Sequence, residues 1–284
     1  MIALFVLKLT AGITLMWFLM PRKQVTDGFF RIQMRLVLGT TVLCSLLLSA
    51  TTTFEAVAAG RDLLADSADQ ASDDQIALES PPATVAASSR TAHQIRIMQI
   101  AAAFIAYPGS IFWALGRRTP GNICIWLLTL LCTGSVVLHS VSIGTDAATW
   151  LQLLSDVSSS LVLGATLTGM LLGHWYLTTP TMSITPLWWF NRMLVVAGVL
   201  RLLASAVTFA QFGFATSDLT RQMWASIRII GGGLVPLIVA ILVWRILKHR
   251  NTQSATGVLF AGLILVFMGE MTAALLERDV HLPY

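Results

Sequence analysis

Residues 2–20 read IALFVLKLTAGITLMWFLM, an apolar run with one charge, Lys8, followed by Pro21-Arg22-Lys23. A membrane-spanning helix takes about 20 mainly apolar residues, and this run has that length. A cleaved signal peptide carries its positive charge ahead of the apolar run and a small-x-small site behind it. Here the basic pair comes after the run and no such site is present, so the stretch predicts a retained first span. Seven more runs of the same kind follow, at roughly 34–53, 95–115, 122–144, 150–175, 187–211, 223–246 and 254–276. Lipid tolerates only segments that satisfy their own backbone hydrogen bonds. The expected fold class is therefore all-α, a polytopic transmembrane helix bundle forming a single domain over residues 1–284.

Composition agrees with that reading. Of 284 residues, 56% are hydrophobic and 11% are charged, and the mean hydropathy is +0.75. An ordinary soluble domain carries about 25% charged residues. The balance excludes a soluble enzyme, a disordered chain and a disulfide-stapled secreted domain. Cys44, Cys124 and Cys132 all fall inside apolar runs and read as small buried side chains.

The charges sort by side. One set of connections holds Arg22, Lys23, Arg31, Arg35, Arg117, Arg118, Arg192, Arg245, Lys248 and Arg250 against the single acid Asp27. The alternating set, with the tail, holds five arginines (61, 90, 96, 221 and 278) against eleven acids, Glu277 among them. Cytoplasmic loops collect Lys and Arg, so the expectation is that both termini lie outside, in a bacterial inner membrane. The +4 net charge then reports sidedness and does not imply a nucleic-acid partner. The one long connection, 54–94, contains GRDLLADSADQASDDQIALESPPATVAASS. It is acidic and poor in aromatics, too polar to fold alone, and reads as an extracytoplasmic loop, with a short amphipathic turn at 62–76 if a partner covers it. Gly28–Arg35 (GFFRIQMR) reads as an interfacial lead-in to the second span.

Five charges remain inside the spans: Lys8, Asp156, Arg201, Arg228 and Glu270. Each costs ~2.5–3.5 kcal/mol at a bilayer centre even on the lenient insertion scale, so each is expected to face the bundle interior. At ~1.5 Å per residue, Lys8, Asp156, Arg228 and Glu270 fall ~8–10 Å from the outer end, with His139 and Gln99 at a similar level and Arg201 nearer the middle. In one reading Asp156–Arg228 and Lys8–Glu270, or the swapped pairs, only neutralise each other. In the other they line a polar pocket, where Glu270 or Asp156 exchanges protons and His139, Gln99, Arg228, Lys8 and Arg201 bind a ligand.

SDVSSSLVLGATLTGMLLGHWYL (155–177) is rich in Gly, Ser and Thr, the residues that let spanning helices approach closely. It ends in His174-Trp175-Tyr176, expected in the interfacial aromatic belt, within a motif-like GHWYLTTPT of unassigned role. Gly231-Gly232-Gly233 and Pro236 predict a kink or break in the seventh span. Bis-histidine haem needs two histidines at one depth. His139 and His174 sit towards opposite surfaces, and the pairs His93–His139 or His174–His249 would need loop or interfacial histidines, so haem is not expected. No metal-ligand cluster, HExxH, Walker or GxSxG pattern is present in the sequence.

The last span reads GLILVFMGEMTAALLERDVHLPY (262–284). Its Gly269-Glu270 pair, with His281 eleven positions after the glutamate, resembles the close of the quinol-binding membrane anchor subunits of dimethyl-sulfoxide-reductase and polysulfide-reductase type. Eight helices with both termini outside fit the same family. The family's arginine one turn after the glutamate is Ala274 here, with Arg278 a turn further on. The resemblance implies a quinone-reactive subunit of an electron-transfer complex, with Glu270 at the quinone and other subunits carrying the redox centres. An extracytoplasmic redox protein would dock on loop 54–94. The competing expectations are a proton-coupled transporter or channel for a small anion, and a purely structural membrane subunit.

Overall fold

The computed structural model describes the backbone of residues 1–69, 83–143, 149–179, 182–212 and 219–280, with side chains outside 51–69, 83–89, 212, 221 and 278–280. Among these the helices are α1 (Ile2–Leu19), α2 (Asp27–Asp69), α3 (Ala83–Ala114), α4 (Arg118–Ile143), α5 (Thr149–Thr178) and α6 (Thr185–Phe212). α7 (Leu219–Arg228) runs through a π-helical turn (Ile229–Leu234) into α8 (Val235–Lys248), and α9 (Thr252–Val280) follows. Among the described residues eight helical spans are long and apolar enough to cross a membrane, as expected of an integral membrane protein. α7, the π turn and α8 together make the seventh.

α1 and α5 form the centre. In their most apolar stretches 61% and 67% of residues are buried, against 28% in α2. α5 packs on α1, α4, α6 and α9, while α2, α3 and α4 wrap one side and α6, α8 and α9 the other. Glycine sets the central crossing. A Cβ on Gly12 would stand 1.9 Å from the Ser160 carbonyl oxygen, and one on Gly164 2.2 Å from the Gly12 carbonyl carbon and oxygen. The two backbones therefore touch, as small residues permit between apolar helices.

A second crossing lies where the three glycines open the seventh span into the π turn. A Cβ on Gly269 of α9 would fall 2.3 Å from the Gly232 nitrogen. π turns insert one residue into a helix and mark functional sites disproportionately often. This one begins directly after Arg228.

Three local expectations change. The connection 54–94 is not a loop throughout: α2 continues to Asp69 and α3 begins at Ala83, because Ala, Leu and Glu are strong helix formers. Residues 70–82, with part of the 62–76 turn, lie outside the described residues. GFFRIQMR forms the first turns of α2 itself, with Phe29, Phe30 and Met34 buried, Arg31 and Arg35 exposed, and Phe30 stacked on Trp113 at 4.4 Å.

Within GHWYLTTPT, Pro180 and Thr181 lie outside the described residues. His174 is exposed, but Trp175 and Tyr176 turn inward. The Trp175 indole donates to Thr26 Oγ1 at 2.8 Å, and the Tyr176 hydroxyl donates to the Ser183 carbonyl. The motif thus pins the end of α5 to the start of α2 and to the α5–α6 connection. Trp175→Phe should lower stability by about 0.5–1.5 kcal/mol, the net worth of one hydrogen bond. Thermal denaturation in detergent would read that change.

Candidate functional site

The charges inside the apolar spans gather around α5 in two tiers, on neighbouring faces of its SDVSSS stretch. On the face towards α1 and α4, Lys8 Nζ lies 2.6 Å from Asp156 Oδ1 and 3.7 Å from Glu277 Oε2. The Ser140 hydroxyl donates to Asp156 Oδ2 at 2.7 Å. Gln152, one turn before Asp156, donates from Nε2 to both Asp156 oxygens at 3.2–3.3 Å and to Glu277 Oε1 at 2.6 Å. Asp156 is fully buried and Glu277 is 14% exposed, so this chain of contacts runs from the interior towards the bundle end.

On the neighbouring face Arg201 meets Glu270 in a planar fork: Nε donates to Oε1 at 2.8 Å and Nη2 to Oε2 at 2.7 Å. Its Nη1 donates to the Ser155 carbonyl and hydroxyl, both at 2.9 Å, and to Ser158 Oγ at 3.3 Å. The Ser159 hydroxyl completes the Glu270 carboxylate. Two parallel charge-assisted bonds make this the strongest kind of ion pair.

Arg228 stands beside this pair and is not saturated. It is 1% exposed, yet Nη1 and Nη2 have no hydrogen-bond partner among the described residues. The Cβ position of Gly232 lies 2.8 Å from Glu270 Oε1 and 3.3 Å from Arg228 Nη1. The two groups therefore border one glycine, at most about 6 Å apart, with no side chain between them there.

Helix lengths explain the tiers. Lys8 and Asp156 sit six and seven residues from the starts of α1 and α5. Arg228 is nine from the start of α7, Glu270 ten from the end of α9, and Arg201 eleven from the end of α6. The single level expected from the apolar runs divides because α7 begins, and α9 ends, four residues beyond those runs, which sets Arg228 and Glu270 a turn further from their helix ends. Of the expected pairings, Asp156 does meet Lys8, but Glu270 takes Arg201 in place of Lys8 or Arg228. Arg201, expected nearer the middle, belongs to the site.

His139 lies in the electrostatic neighbourhood of Asp156, Lys8 and Glu277, with Nε2 buried and without a hydrogen-bond partner among the described residues. Gln99 is apart: it is fully buried and its Nε2 donates to Ser135 Oγ at 3.1 Å between α3 and α4. No hydrogen bond among the described residues joins it to the charged tiers.

Sequence reasoning missed Glu277, Gln152 and the serines 140, 155, 158 and 159. Glu277 reads as a tail acid because the apolar run stops before it. Gln152 carried a usable signal, since positions i and i+4 share a helix face and Asp156 is four residues on. The serines read as packing residues, and only the neighbouring helices show that they bind charges.

No family model, curated protein or solved structure matches this chain.

Proposed function

We propose that this chain is the quinone-reactive membrane subunit of an electron-transfer complex, working at the end of the bundle that the charge distribution assigns to the outer face. The observation that carries this reading is Arg228: a buried guanidinium whose Nη1 and Nη2 have no hydrogen-bond partner among the described residues, bordering the same glycine as Glu270. Buried donors without a partner are costly, and a quinone carbonyl oxygen is the acceptor they lack. Net charge favours a neutral ligand. Among the described residues the two tiers hold three cations (Lys8, Arg201, Arg228) and three carboxylates (Asp156, Glu270, Glu277), so a bare anion would break the balance.

When bound, quinol would supply two electrons to redox centres in a partner subunit and two protons to the protein. Arg228 would hold the ring oxygen and Glu270 would accept a proton, with Arg201 and Ser159 fixing its carboxylate. Asp156, Gln152 and Glu277, hydrogen-bonded in the neighbouring tier, would carry the proton on towards the surface. The acidic 54–94 region would dock the extracytoplasmic partner.

Complex purified from native membranes should contain quinone. Glu270→Gln should reduce quinol turnover by about 10²–10⁴-fold, the usual contribution of a positioned acid–base group. Arg228→Gln should remove the co-purifying quinone while the bundle stays folded. Turnover retained in both variants would end the assignment. Uptake of a small anion with a proton, by the chain alone in proteoliposomes, would replace it with the transporter reading.

A further inference from the structure

At the opposite, basic end of the bundle a cleft of about 260 Å³ opens between α6 and α8. Trp188 and Asn191 from α6 line it together with Ala240, Ile241 and Trp244 from α8, and Arg192 stands at its edge. The two tryptophans suit an interfacial depth, where amphipathic rings anchor. Arg192 and Trp244 are exposed there, Lys248 Nζ caps the Trp244 ring 3.7 Å from its centre, and the exposed Arg245 follows Trp244 on α8.

Asn191 is the unexpected residue. It is only 6% exposed, and its Oδ1 has no donor among the described residues. The cleft thus joins the Asn191 amide, whose buried Oδ1 lacks a donor among the described residues, the exposed Arg192 with Lys248 close by over Trp244, and an apolar wall along Val195 and Ile241 that suits an acyl chain.

We propose that this cleft is a specific site for one phospholipid whose headgroup is both anionic and hydroxyl-bearing, as in phosphatidylglycerol. Its phosphate meets Arg192, with Arg245 and Lys248 adding to the local field. A headgroup hydroxyl donates to Asn191 Oδ1, and an acyl chain runs along Val195 and Ile241. A zwitterionic choline lipid has no hydroxyl for Asn191 and no net charge for the rim. An ethanolamine lipid has a donor, but its ammonium enters a cationic rim. The site is separate from the charged tiers around α5 and stands whether or not those bind quinone.

The test is native mass spectrometry of the whole chain, released from micelles containing equimolar phosphatidylglycerol, phosphatidylethanolamine and phosphatidylcholine. One phosphatidylglycerol should be retained at least tenfold above either other lipid. Asn191→Leu and Arg192→Gln should each reduce that preference by about tenfold, the effect of deleting a single hydrogen bond or ion pair at a membrane site. Neither exchange removes a hydrogen bond that the described residues make, so melting without added lipid should match the parent chain. Equal retention of all three lipids, or a preference unchanged in both variants, would overturn the proposal. Displacement of the lipid by millimolar glycerol phosphate would overturn it as well, since the cleft would then be a phosphate site and not a lipid site.

Discussion

Glu270→Leu should destabilise the bundle by about 3–5 kcal/mol, the cost of breaking a buried ion pair by removing one member. The substitution leaves two guanidinium groups, those of Arg201 and Arg228, buried in one tier without the carboxylate that separates them. Arg201→Leu should cost clearly less, although it breaks the same pair. Glu270 keeps the Ser159 hydroxyl, and Nη1 of Arg228 lies within about 6 Å of Oε1 across Gly232, close enough for a flexible side chain to close on it. The expected order is therefore asymmetric, with removal of the acid worse than removal of its partner base. Denaturation in SDS, followed by the fluorescence of the nine tryptophans, measures it. Equal losses would mean that Arg228 cannot substitute for Arg201, which would weaken its proposed availability to a ligand.

The second large effect is expected at the α1–α5 crossing. Gly164→Val should cost about 3 kcal/mol or more, at the upper end of overpacking penalties. The first added atom already falls 2.2 Å from backbone of α1, and no rotamer can move a Cβ. Relief requires α1 to separate from α5, which would also pull Lys8 from Asp156. The variant should lose both thermal stability and the geometry of that tier. Gly257→Ala is the control, because nothing lies within 4 Å of the Cβ it adds. Alanine is the better helix former by about 1 kcal/mol, so that variant should melt at or above the parent temperature. A Gly164→Val protein as stable as Gly257→Ala would contradict the backbone contact.

The residues that carry the site were partly visible beforehand. Lys8, Asp156, Arg201, Arg228 and Glu270 stand out because a charge in an apolar run is expensive wherever the helix points. Glu277 did not stand out, since helix ends are set by packing as well as by hydropathy, and α9 outlasts its apolar run. Ser155, Ser158 and Ser159 are silent for another reason. A serine in a spanning helix can satisfy its hydroxyl on its own backbone, as Ser160 does on the Asp156 carbonyl. Nothing in one helix reveals that a neighbour's guanidinium will claim it.

Sequence by itself determined that the chain has eight helical spans of membrane length, because hydropathy and helix length are properties of each segment alone. It also determined which charges must find partners. Partner choice, the order of helices around α5 and the lack of a hydrogen-bond partner for Arg228 among the described residues were decided by tertiary structure. Those depend on which helix faces meet and on how long each helix continues, and every residue between the interacting groups contributes to both. Lys8 reaches Asp156 because Gly12 and Gly164 let α1 and α5 touch. Arg228 lies beside Glu270 with no hydrogen-bond partner on Nη1 or Nη2 among the described residues, because Gly232 places no side chain between the two.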